Sequence, residues 1–245
     1  MSGSDSRAIK AVILAGGKGT RLRPLTAVFP KPLVPLGNKP IIEILMRQLQ
    51  SFGLTEISIC TGYLAELIMA VCGDGSKFGL NITYSSEEAP LGTAAPLAGI
   101  EGLSDPFIVM NGDLLTTLDF GKMIDFHVAE KADITVGIYK RDVKIDFGVV
   151  ESNEAGEFQG FKEKPTFHYE VSMGVNVISP SALKHVVPNE YLDMPDLVLK
   201  VHESGGKVAL YREDCFWLDI GRMDDYALAQ EQFSQEEGMF LGAKD

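Results

Sequence analysis

The sequence predicts an α/β fold: a mostly parallel central sheet with helices on both faces and a small antiparallel extension. Two observations predict the sheet. Short β-branched apolar runs alternate with amphipathic helical stretches through the first 140 residues, and strand–helix alternation of this kind implies right-handed crossovers between parallel strands. A third observation predicts the extension. After residue 140 the rhythm changes to short strands divided by turn-rich segments such as Asn153–Gly156.

The elements follow in order. Residues 9–14 form a first strand that ends abruptly in the loop Gly16-Gly17-Lys18-Gly19. Prolines 24, 30, 32 and 35 forbid a helix over the next segment and are expected to hold it extended. Helices are expected at 41–52, 64–72, 93–100 and 120–130, and strands at 57–61, 82–84, 107–110 and 134–139. The extension comprises strands at 147–151, 158–162 and 171–178. Short helices at 180–185 and 195–203, strands at 208–211 and 215–218, and a last helix at 223–232 complete the chain. Without a low-complexity linker, residues 8–235 read as one domain, with a core at 8–140 and a second part at 141–220. Residues 1–7 are expected to be disordered and 236–245 to form a tail.

With 245 residues, 45% of them hydrophobic, the chain can bury a substantial core. A net charge of −12 and a pI near 4.8 argue against a nucleic-acid partner, which would need a basic face. No apolar signal segment or membrane span is visible, so a cytoplasmic location and no membrane partner are expected. A homo-oligomer is left open. Cysteines 60, 72 and 215 have no CxxC spacing and read as buried thiols, and the four histidines lack metal-ligand spacing.

Chemistry concentrates at strand ends, where ligands of such sheets lie. The glycines at 16, 17 and 19 let backbone N–H groups approach phosphate oxygens, and Lys18 and Arg21 add charge. Arg21 can grip phosphate in a fork. The loop is neither a P-loop nor a dinucleotide fingerprint. Lys31 and Lys39 return cations toward it from the proline-rich strip. Asp113 closes an apolar strand in Val109-Met110-Asn111-Gly112-Asp113, and Asp219 follows Phe216-Trp217-Leu218 in the same way.

Gly16-Gly17-x-Gly19-Thr20-Arg21-Leu22, followed by Lys31-Pro32 and Lys39-Pro40, resembles the sugar-phosphate nucleotidylyltransferases, the enzymes that make nucleotide-sugars. Asn111-Gly112-Asp113, Glu163-Lys164-Pro165 and Trp217-Leu218-Asp219 extend the match along the chain. The resemblance implies a Rossmann-like sheet with a sugar-binding antiparallel part. It implies that an NTP and a sugar 1-phosphate become an NDP-sugar and pyrophosphate, with Mg²⁺ held by Asp113 and Asp219. Arg21 and Lys31 would be catalytic, neutralising charge on the phosphates. The nucleotide would meet Leu14, Ala15, Gly16, Gly17, Gly19, Thr20, Arg21, Glu87, Pro90, Gly92, Thr93, Asn111 and Gly112. The sugar phosphate would meet Gly148, Glu163, Lys164, Gly174 and Asn176. Thr93 is expected to cap the helix that follows it.

The run Glu87-Glu88-Ala89-Pro90-Leu91-Gly92-Thr93-Ala94 resembles guanylyltransferases acting on mannose 1-phosphate or a heptose phosphate. A carboxylate at Glu87 suits the N1–H and N2–H₂ edge of guanine. Relatives that use UTP, CTP or dTTP, with glucose or N-acetylmuramate 1-phosphate, share most of this framework. A non-catalytic relative that only binds nucleotide-sugars is a further alternative.

Overall fold

The computed structural model describes residues 9–86 and 90–241. Residues 1–7, expected to be disordered, and Glu87 lie outside the described residues. In chain order the strands and helices are β1 (Lys10–Ala15), β2 (Pro35–Leu36), β3 (Lys39–Pro40), α1 (Ile41–Ser51), β4 (Glu56–Thr61), α2 (Ala65–Cys72) and β5 (Asn81–Ser86). Then come β6 (Phe107–Asn111), β7 (Leu114–Thr116), α3 (Phe120–Glu130), β8 (Ile134–Lys144), β9 (Val149–Ser152), β10 (Phe158–Lys162) and β11 (Thr166–Ile178). The chain closes with α4 (Met194–Glu203), β12 (Val208–Arg212), β13 (Trp217–Asp219), α5 (Met223–Gln235) and α6 (Glu237–Phe240).

Seven strands form the central sheet in the order β12-β8-β11-β6-β1-β4-β5. β1 pairs in parallel with β4 and β6, β4 with β5, and β12 with β8. β11 is antiparallel to both its neighbours, so it alone runs against the sheet. Its early residues therefore lie beside the carboxyl ends of the others. Each face is covered by its own apolar cluster. Ile13, Ile59, Met110, Val175 and Val177 pack with α1 on one side, and Val12, Val109, Val136 and Ile178 pack with α4 on the other. The core strands are apolar on both faces because a sheet buried on both sides exposes neither to water.

Several local expectations are corrected. The proline-rich strip is not extended but winds through 3₁₀ turns at Thr20–Leu22, Leu25–Ala27 and Lys31–Leu33. Proline is accepted in a first turn, where its missing N–H has no partner to lose. Residues 93–100 form only a short 3₁₀ helix, Ala95–Gly99, opened by Pro96, and Pro180–His185 is likewise 3₁₀. β8 and β11 run well past 139 and start before 171, pairing from Lys144↔Thr166 to Ile134↔Ile178 as a long antiparallel ribbon. On its outer half Phe167, Tyr169 and Val171 alternate with Thr166, His168 and Glu170, and all six are exposed or only half-buried. The segment after Gln235 is not simply a tail: Phe240 of α6 is buried against Phe216 and Phe233. Among the described residues no helix is long and apolar enough to cross a membrane.

Candidate active site

Three neighbouring strands end side by side, with Ala15 beside Thr61 and Leu14 beside Asn111. Beyond them lies a cavity of about 630 Å³. Leu14, Gly16, Gly17 and Lys18 line it from the loop after β1, and Cys60, Thr61, Gly62 and Tyr63 from the end of β4. Pro90, Gly92, Thr93 and Pro96 form a further wall, with Asn111 at the end of β6 and Asp113 just beyond it. Gly112 is buried, its N–H donating to the Leu14 carbonyl at 2.8 Å. Ala15, Gly19, Thr20 and Arg21 do not line this cavity. Ala15 is buried in β1, and the Gly19 carbonyl accepts from Thr26 Oγ1 at 2.7 Å behind the loop.

The wall at 90–95 is held by contacts from about a hundred residues away. Gly92 has φ +95°, and a Cβ there would stand 2.4 Å from the Leu192 carbonyl oxygen, so only glycine fits. Thr93 does not cap the helix after it. Its N–H and Oγ1 donate to Asp193 Oδ1 at 3.0 and 3.2 Å, and its Oγ1 accepts from Met194 N at 2.8 Å. Thr93 thus caps α4, a partner that local sequence does not reveal.

Asp113 and Asp219, distant in sequence, meet because β7 pairs with β13. Leu114 stands opposite Asp219, and Ile220 N donates to the Asp113 carbonyl at 3.1 Å. Lys31 lies between the carboxylates, bonded to Asp113 Oδ2 and 3.5 Å from Asp219 Oδ1. Among the described residues, Oδ1 of each aspartate is buried without a hydrogen-bond partner. Burial pushes the Asp113 carboxyl above its usual range; Lys31 pulls it back and Asp219 pushes it up again. Two carboxylates with one lysine between them suit a divalent cation, which takes one or two protein carboxylates and completes its shell with phosphate and water. Among the described residues no group of three or more His, Cys, Asp or Glu gathers as an alternative metal site. Arg21 is exposed, and a Cβ at Gly221, just after Asp219, would stand 3.5 Å from its guanidinium.

A second cavity, of about 550 Å³, shares Leu14, Thr93 and Asn111 with the first. Ser172, Gly174 and Asn176 of β11 line it, opposite Met194, Pro195, Val198 and Leu199 of α4. A bulge between Ser172 and Asn176 interrupts the pairing with β8, and Gly174 sits in it at φ +69°. A Cβ there would come within 2.5 Å of Asn111 Nδ2. Trp217 Nε1 donates to the Met173 carbonyl at 2.8 Å, fastening the Asp219 strand to this bulge.

Gly148, Glu163 and Lys164 are elsewhere. They belong to the exposed β9–β10 hairpin region, among the exposed rings of Phe147, Phe158 and Phe161, and line neither cavity. Lys164 has φ +44°, a strained conformation for a non-glycine residue. Burial pushes the Cys72 and Cys215 thiols up to about 11, and neither lines a cavity.

The family model described as "Nucleotidyl transferase" matches residues 10–236. This chain belongs to the nucleotidyl transferase family. It is 36% identical over 227 residues to "Probable mannose-1-phosphate guanylyltransferase 1" of Oryza sativa subsp. japonica, covering 89% of this chain and 63% of that protein. It is 33% identical to the UTP–glucose-1-phosphate uridylyltransferase of Synechocystis, covering 89% of this chain and 61% of that one. The chain thus spans a little over three-fifths of these curated relatives. The HddC protein of Yersinia pseudotuberculosis, complexed with GMP-PN, superposes with a TM-score of 0.69 at 25% identity, over 92% of this chain and 99% of that one. A Bacillus anthracis protein described as a putative glucose-1-phosphate thymidylyltransferase shares the fold at a TM-score of 0.71 and 24% identity, over 92% and 95%.

Sequence reasoning about this family member missed the wall from Cys60 to Tyr63 and the α4 side chains. The first was accessible in principle, since a right-handed crossover from β1 places β4 beside it. The second was not, because nothing local ties α4 to β11.

Proposed function

We propose that this chain transfers a nucleotidyl group from an NTP to a sugar 1-phosphate, releasing pyrophosphate. The observation that carries the reading is Lys31 set between Asp113 and Asp219 at the mouth of a cavity formed by strand ends and the glycine loop. A sugar-phosphate oxygen attacks the α-phosphorus; the new P–O bond forms as the bond to the β-phosphate oxygen breaks, and pyrophosphate leaves opposite. Mg²⁺, the ion proposed for Asp113 and Asp219, would neutralise phosphate charge when bound. The backbone N–H groups of the loop at 16–19 orient the phosphates, and Lys31 turns from the carboxylates toward charge that develops in transfer. Ordering the two substrates can supply about 7–11 kcal/mol of the barrier. Lys164 and Glu163 reach the sugar phosphate from the hairpin, and Arg21 the nucleotide phosphates from beside Gly221. Asn176 and Gly174 face the sugar.

The relatives' names make GTP with mannose 1-phosphate the first pair to test, and the resemblance of the run at 87–94 adds heptose 1-phosphate, in a cytoplasmic setting where nucleotides abound. The experiment is pyrophosphate release with Mg²⁺ over a grid of NTPs and sugar 1-phosphates. Turnover with one pair and none without metal is expected. Silence over the whole grid refutes transfer.

A further inference from the structure

Asp193 stands where a helix is ordinarily capped. It is the residue before α4, and a carboxylate there commonly accepts from N–H groups of the first turn. It makes no such bond. Its Oδ1 instead accepts from the N–H and Oγ1 of Thr93, at 3.0 and 3.2 Å, and Thr93 Oγ1 in turn takes the Met194 N–H at 2.8 Å. A local cap would serve α4 alone. The crossed arrangement also joins α4 to the wall at 90–95.

That join is dense. The Leu192 carbonyl accepts from Ala94 N at 2.9 Å and Ala95 N at 3.2 Å, and Leu192 N donates to the Leu91 carbonyl at 2.8 Å. A Cβ on Gly92 would stand 2.4 Å from the Leu192 oxygen and 3.0 Å from Asp193 Oδ1, so nothing separates the two segments. The Tyr191 hydroxyl donates to Asp193 Oδ2 at 2.6 Å, and this bond holds the carboxyl below its usual range. Near neutral pH both carboxylate oxygens are therefore acceptors.

The joined segments serve different cavities. Pro90, Gly92 and Thr93 wall the first, Met194 and Pro195 the second, and Thr93 lines both. Asp193 lines neither. A group that touches no ligand but fixes the surface two ligands share acts by preorganisation, so that ordering is completed in folding rather than at binding.

We infer that Asp193 is a positioning residue for both substrates, acting through Thr93 to hold the nucleotide wall and the start of α4 as one preformed surface. The inference rests on the nucleotidyl-transfer reading, which puts the nucleotide in the first cavity and the sugar phosphate in the second. With Asp193 in place, each ligand meets a finished surface. Without it, the first ligand to bind must order the shared wall, and the second finds it ordered. Loss of Asp193 should therefore weaken both ligands and increase the coupling between them, by the same factor in both directions. Loss of a residue that only supports the fold would create no such coupling.

The test uses the NTP and sugar 1-phosphate that release pyrophosphate fastest, with the NTP supplied as its α,β-methylene analogue, which lacks the bond that breaks. Calorimetric titration in Mg²⁺ gives the Kd of each ligand alone and with the other saturating. Asp193→Ala should raise the Kd of each ligand alone by at least tenfold. The factor by which each ligand tightens the other should be at least threefold larger than in the wild type. Asp193→Asn, whose Oδ1 still accepts from Thr93, should keep both Kd values within threefold of the wild type. Unchanged Kd values in Asp193→Ala, a rise for one ligand only, or an unchanged coupling factor overturns the inference. If Asp193→Ala does not fold, Thr93→Val decides, because both hydroxyl bonds are then gone: its coupling factor should rise, and no rise overturns the inference. Absence of pyrophosphate from every pair refutes the transfer reading, and the inference falls with it.

Discussion

Replacing Lys31 with methionine should destabilise the fold and make its stability depend on a divalent cation. The side chains of Lys31 and Asp113 are only 11% and 19% exposed, so the substitution leaves a largely buried carboxylate facing a second one. Breaking a buried pair from one side costs about 3–5 kcal/mol. The low end applies, because Asp219 is 44% exposed and its share is screened by water. A loss of about 3 kcal/mol lowers Tm by roughly 6–12 °C in a chain of this size. A cation bound between the carboxylates replaces the missing charge, and at a hundred times its Kd it returns about 2.7 kcal/mol. In the wild type the same cation must displace Lys31, so its gain is smaller. The assay is thermal unfolding of both proteins in chelator and in saturating Mg²⁺. The variant should melt well below the wild type in chelator and close most of the gap with metal. Equal melting in chelator, or equal metal shifts in the two proteins, would refute the argument that Lys31 holds the place of a cation.

Turnover of Lys31→Met should fall by about 10²–10³ even with metal present, as expected when a group that stabilises transition-state charge is lost. Asp219→Asn should lose activity on the same scale while circular dichroism shows an intact fold. Lys164→Ala should raise KM for the sugar 1-phosphate by about tenfold or more, the scale of one charge-assisted hydrogen bond, with the KM for NTP unmoved; equal effects on both would remove Lys164 from the sugar phosphate. Thr93→Val should cost about 1 kcal/mol through the lost cap on α4, read as a Tm drop of about 2–4 °C. Burial holds the His127 imidazole below its usual value, where it bonds Thr135 and Ser179. The unfolded chain therefore takes up a proton that the folded protein resists. Stability should be full above about pH 6.5 and decline as pH falls toward the lower folded value. Denaturant titrations across that range should be flatter for His127→Gln.

Much of this was legible in the residue order. The strand positions at β1, β4, β6 and β8 follow from compact β-branched runs, because a strand buried on both faces can be written only in apolar residues. The glycine loop, Lys31, Asp113 and Asp219 stood out as charged or flexible groups set against such runs. The hairpin residues Glu163 and Lys164 were visible by resemblance alone, and the structure leaves them apart from both cavities. Thr93 was read as a local cap because capping is ordinarily local, whereas its partners are Asp193 and Met194.

By itself the sequence determined which segments become strands, where the chain must turn, and which side chains are available for phosphate and metal. Those properties depend on neighbours a few residues away, through backbone sterics and the period of burial. Only the tertiary structure decided that Asp219 stands beside Asp113 with Lys31 between them, and that α4 faces the β11 bulge across a cavity. Such meetings are set by how sheet faces and strand registers bury their apolar surface over long separations.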